Sequence, residues 1–179
     1  MKKEILVGTM MVMLGMTTVS AQNTSKTLEQ RVTELEDREA IRRVIDEFNT
    51  TADVKDMKTQ GDLFTEDAVL NQHFGDQVNV IKGREAIRKA FGDYLATVEL
   101  TYHLSGQMLV DMIDETHATC ESYGFVTQIF TRDGKRTLMQ GGGRYVDEML
   151  KIDGKWYINV RHQYAGFGDS HELPAAPQQ

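Results

Sequence analysis

The chain has one cysteine, two prolines and one tryptophan in 179 residues. A lone Cys120 cannot close a disulfide within the chain. Its alternating surroundings, "HATCESYGF", predict a buried, inert thiol on a strand. Both prolines fall in the polar C-terminal stretch. Positive charge is scarce: 20 Lys and Arg stand against 27 Asp and Glu, a formal net charge of −7, with no long basic cluster after the first three residues. Nucleic acid, whose phosphates need a basic surface, is therefore excluded as a partner. Metal motifs are missing too. The five histidines (His73, His103, His117, His162, His171) form neither a His-x-His nor a His-Glu-x-x-His set, so no metal is expected. Gly141-Gly142-Gly143 lacks the Gly-Lys-Ser or Gly-Lys-Thr of a phosphate loop and predicts a bulge or sharp bend in a strand.

No apolar run is long enough to span a bilayer comfortably. The longest, from Ile5 to Met16, follows Lys2 and Lys3 and precedes Val19-Ser20-Ala21, whose small residues suit a signal peptidase. Residues 1–21 therefore read as a signal peptide cleaved after Ala21. The protein is expected to be exported to the periplasm, with no stable membrane anchor after cleavage.

Residues 22–27 are a short linker, and 28–165 have the length and composition of one globular domain. From Thr27 to about Val54, Leu28, Val32, Leu35, Ile41, Val44, Ile45, Phe48 and Ala52 recur at helical spacing. Thr27 and Gln30 fit a capping box, and "EQRVTELEDRE" supplies a solvated face. A short second helix is predicted over 56–64, with a turn at Thr65-Glu66-Asp67. Two short extended pieces follow around Gly75-Asp76, then a third helix in "REAIRKAFGDYLAT". After Val98 the period becomes two, predicting strands near 100–113, 117–131, 136–151 and 155–165. Asp133-Gly134 and Asp153-Gly154 mark hairpins. Helices first and an antiparallel meander later make the class α+β. Residues 166–179 are expected to be a flexible tail or a lid over a pocket.

His103 opens the first long strand, on a face with Ser105 and Gln107 that is more polar than the alternate face. There it can act as a general base if a carboxylate holds one ring nitrogen. Asp53 is a candidate partner, because a carboxylate at a helix C-terminus opposes the helix dipole without local gain. Asp46, Glu47 and Asp56 compete with it. Arg161, in "WYINVRHQY", can stabilise a developing anion or simply make an ion pair.

"LEDREAIRRVIDEFNTTADVKDMKTQGDLFTEDAVL", "GREAIRKAF", "HLSGQMLVDMIDETHATCESYGF" and "GRYVDEMLKIDGKWYINVRH" together resemble SnoaL-like domains of the nuclear transport factor 2-like (cystatin-like) superfamily, over roughly residues 28–165. The resemblance implies a cone: a curved antiparallel sheet, with three helices in the N-terminal half closing a pocket. It implies a cofactor-independent lyase or isomerase of the dehydratase and dehydrochlorinase kind, acting on a small hydrophobic molecule, with a homodimer or homo-oligomer as the assembly. Its His–Asp dyad falls on His103 and on Asp53, ahead of the Asp67 turn, and its Arg on Arg161. Phe48, Tyr102, Tyr123, Met139 and Trp156, with Phe91, would shape the pocket. Where catalytic relatives often carry Tyr or Lys, this chain has Phe48. A proton donor is thus missing there, and Tyr102, Tyr123 or Tyr145 would have to replace it. The same fold also serves non-catalytic ligand-binding or accessory domains, which remains the alternative.

Overall fold

The structure, a computed structural model, describes residues 26–174. The expected signal peptide lies outside the described residues. Three helices, α1 (Leu28–Asp53), α2 (Met57–Asp62) and α3 (Arg84–Leu95), pack on one face of a curved six-stranded sheet. The strands are β1 (Phe64–Phe74), β2 (Gln77–Lys82), β3 (Val98–Met112), β4 (His117–Arg132), β5 (Lys135–Ile152) and β6 (Lys155–Glu172), ordered β2-β1-β6-β5-β4-β3. Every neighbouring pair is antiparallel except β1 and β6.

Each end of α1 has a local cause. The Thr27 hydroxyl accepts from the Gln30 amide while the Gln30 side chain accepts from the Thr27 amide, which completes the capping box. At the other end Lys55 takes a left-handed φ of 57°, and the Asp56 carboxylate caps α2 by accepting from the Thr59 amide at 3.0 Å. The buried stripe of α1 is Ile41, Val44, Ile45, Phe48 and Ala52. Leu28, Val32 and Leu35 share its period but are exposed, because the first turns of α1 extend past the sheet. Asp37, expected on the solvated face, is buried instead. Its carboxylate accepts from Lys151 Nζ at 2.6 Å and Trp156 Nε1 at 2.9 Å.

Two expectations for the sheet change in detail, and the bulge expected at Gly141-Gly142-Gly143 is present. The turn expected at Thr65-Glu66-Asp67 is an irregular stretch of β1, marked by a register shift against β6 between Phe64 and Val69. The three glycines sit where β5 slips register against β6. A Cβ on Gly141 would lie 2.7 Å from the Phe167 carbonyl oxygen, so this close approach requires glycine. Residues 166–172, expected as tail or lid, continue β6 and pair with Thr137 to Gly142. No helix among the described residues is long and apolar enough to cross a membrane.

Candidate active site

A stripe of polar side chains joins α1 to β3. Arg38 Nη1 donates to the Val110 carbonyl, and Arg42 Nη2 to the Met108 carbonyl at 3.0 Å. Ser105 Oγ donates to Asp46 at 2.8 Å and accepts from Asn49 Nδ2 at 3.0 Å. At the end of the row Asp53 reaches His103. Residues 38, 42, 46, 49 and 53 lie on one helix face. From Arg38 to Asp53 a helix rises about 22 Å, and from His103 to Val110 a strand covers about 23 Å. Helix and strand therefore stay in step over their whole contact, and the end of α1 falls opposite the start of β3.

Asp53 binds His103 twice. Its Oδ2 accepts from the His103 backbone amide at 3.2 Å, and its Oδ1 lies 2.6 Å from His103 Nδ1. An ionised carboxylate only accepts, so the proton of the neutral ring belongs on Nδ1 and the lone pair on Nε2. Nε2 makes no hydrogen bond among the described residues. The side chains are 17% and 18% exposed, dry enough to strengthen the contact and open enough for a ligand to reach. The carboxylate that opposes the α1 dipole is thus satisfied by donors from β3.

Arg161 occupies a different part of the same sheet face. It is 1% exposed and pairs with fully buried Asp147 through Nε and Nη2 at 2.7 and 2.8 Å. Burial works against its charge, but Asp147 holds the guanidinium pKa above its usual value. Its Cζ lies 4.2 Å from the centroid of the Phe48 ring and 5.2 Å from that of Tyr145. Phe48 is therefore a buried platform for the guanidinium, in edge contact with Phe64 and Phe91. A small cavity is lined by Ile45, Asn49, Ser105, Ser122, Tyr145 and Arg161, among others. It adjoins the His103 pair, because Asn49 precedes Asp53 by one helical turn and Ser105 follows His103 on the same strand face.

The remaining residues separate. Met139 is half-buried on the His103 face, on the rung that joins Gln128 to Thr101. The side chains of Tyr102 and Tyr123 point to the opposite face of the sheet, although Tyr123 also borders the small cavity. Tyr102 is 60% exposed, and the Tyr123 hydroxyl donates to Glu121, itself paired with Arg144. Trp156 is buried beside Asp37, about 24 Å along α1 from Asp53. Of the three competing carboxylates, Asp46 and Asp56 serve Ser105 and the α2 cap, and Glu47 makes no side-chain hydrogen bond among the described residues. Cys120 is fully buried, and burial pushes its thiol pKa up to about 12, consistent with an inert role. Sequence reasoning missed Asp147, whose only signal is its position opposite Arg161 once the β5–β6 register is known.

The chain matches the SnoaL-like domain family over residues 33–162. No curated protein matches it. Among solved structures, a candidate scytalone dehydratase from Novosphingobium aromaticivorans is 22% identical, with a TM-score of 0.68, covering 82% of this chain and 95% of that one. A protein of unknown function from Mycobacterium tuberculosis is 26% identical, with a TM-score of 0.61 and coverage of 74% and 77%. A hexachlorocyclohexane dehydrochlorinase from Novosphingobium barchaimii is 11% identical, with a TM-score of 0.69 and coverage of 83% and 99%. By its family match over most of its length and by its fold, the chain belongs to the SnoaL-like domains of the nuclear transport factor 2-like superfamily.

Proposed function

We propose that this protein is an exported, cofactor-independent lyase or isomerase, dehydratase-like, that abstracts a proton from a small, largely hydrophobic molecule. His103 Nε2 is the base. Asp53 fixes the tautomer and stabilises the imidazolium that forms, and Arg161 stabilises negative charge that develops across the cavity. The observation that supports this reading is the two-point hold of Asp53 on His103, which leaves Nε2 without a partner among the described residues. The dehydratase and dehydrochlorinase names among structures of the same fold agree with it in reaction type.

A panel of small hydrophobic β-hydroxy ketones, followed by the ultraviolet absorbance of the enone formed, tests the reading. Turnover by the wild type is expected. His103→Ala should lose about 10²- to 10⁴-fold, the usual contribution of a general base, with its Tm unchanged. Full activity in His103→Ala rejects the assignment. Absence of turnover across the panel favours a ligand-binding domain.

A further inference from the structure

The cavity beside the His103 pair is lined by the ring of Tyr145, which faces Arg161. Tyr145 stands on β5 one strand position from Asp147 on the same face, with its ring beneath the Arg161 guanidinium. Its hydroxyl makes no hydrogen bond among the described residues. Burial pushes its pKa up, so at neutral pH the phenol keeps its proton and is a donor. The ring lies close over Gly124: a Cβ there would come within 3.1 Å of Tyr145 Cε2. Asp147 engages Nε and Nη2 of Arg161. Nη1 makes no hydrogen bond among the described residues. The enclosed space is about 10 Å³, room for one water-sized atom.

We propose that Tyr145 and Arg161 form a subsite for a single carbonyl oxygen, so that the ligand is a ketone, aldehyde or ester rather than a free carboxylic acid. The choice between neutral and charged oxygen follows from Asp147. It already neutralises Arg161, and a ligand carboxylate would bring a second buried anion beside it. A carbonyl oxygen meets two donors and no unpaired charge. The inference deepens the reading of His103 as base. When Nε2 takes a proton from the carbon next to the carbonyl, the electron pair of that C–H bond forms the new C=C bond, and the C=O pair moves onto oxygen. The enolate oxygen then rests on the Tyr145 hydroxyl and Arg161 Nη1. Tyr145 thereby supplies the donor that Phe48 cannot.

Binding of acetophenone labelled at the carbonyl carbon, read by calorimetry and difference infrared spectroscopy, tests this apart from turnover. The wild type should bind it saturably and shift the carbonyl stretch to lower frequency. Tyr145→Phe should weaken binding about three- to tenfold, the effect of one neutral hydrogen bond, and abolish most of the shift. Gly124→Ala keeps the hydroxyl but displaces the ring, and should show the same loss. Tyr164→Phe, on the outer face, should match the wild type. The subsite is wrong if the wild type shows no saturable binding, if Tyr145→Phe leaves the stretch unchanged, or if benzoate binds more tightly than acetophenone. A protein that binds acetophenone in this way yet turns over no β-hydroxy ketone would retain the subsite and lose only the catalytic reading.

Discussion

Removing the Asp147 carboxylate should destabilise the fold more than most single changes. In Asp147→Ala the Arg161 guanidinium stays buried at 1% exposure, loses two hydrogen bonds of 2.7 and 2.8 Å, and cannot shed its proton. Breaking a buried pair from one side costs about 3–5 kcal/mol, because the remaining charge is left uncompensated. Domains of this size have about 5–15 kcal/mol in total. At about 2–4 °C per kcal/mol, the melting temperature should fall by about 6–20 °C. The Phe48 and Tyr145 rings next to the guanidinium soften this loss without replacing a carboxylate. The double variant Asp147→Leu/Arg161→Met removes both charges and should regain most of the loss, since apolar groups of similar size often replace a buried pair at little cost. Calorimetric melting and urea titration of the three proteins provide the assay. The reasoning fails if Asp147→Ala costs under about 1 kcal/mol, or if the double variant is as unstable as the single one.

Gly141→Ala should destabilise by about 1–3 kcal/mol through overpacking, since the added Cβ meets the Phe167 carbonyl oxygen. Amide exchange at Gly168, its partner on β6, should quicken in the same variant. Asp114 accepts from the Thr116 amide, the His117 ring and the Thr116 hydroxyl, and from the His117 amide, in the β3–β4 turn, and these bonds hold its pKa below the usual carboxylate range. A lowered folded pKa gives stability that is present above the unfolded value, about 4, and lost as pH falls below it. Protection of those two amides should therefore decline on acidification, and in Asp114→Ala it should already be low at neutral pH. If the protein is exported as proposed, mass spectrometry of material from the cell envelope should find a chain that begins at Gln22.

Most of the architecture is legible in the sequence because period carries it. The helical stripe of α1, the switch to alternation after Val98 and the two Asp-Gly hairpins each mark an element locally. What escapes local reading depends on register. Asp37 looks like one more surface acid until Lys151 and Trp156, more than a hundred residues away, come to meet it. Residues 166–172 are rich in Gly and polar groups, with low strand propensity, and become a strand because β5 offers a free backbone edge. A family likeness marks both Asp53 and His103, and the helix dipole marks Asp53 as well. The contact between them follows from the stripe Arg38, Arg42, Asp46, Asn49 and Asp53, whose meaning appears only once β3 lies alongside. Tyr102 and Tyr123 show the limit of the same logic. They are aromatic and near the site in sequence, but alternation turns both to the other face.

The central claim is that Asp53 holds His103 with its proton on Nδ1 and its lone pair on Nε2. Histidine-selective ¹⁵N NMR on the wild type and Asp53→Asn reads this directly. The neutral His103 ring should show a protonated Nδ1 and a bare Nε2 in the wild type, and that preference should be lost in Asp53→Asn. A wild-type ring with its proton on Nε2, or a tautomer indifferent to Asp53, would contradict the account.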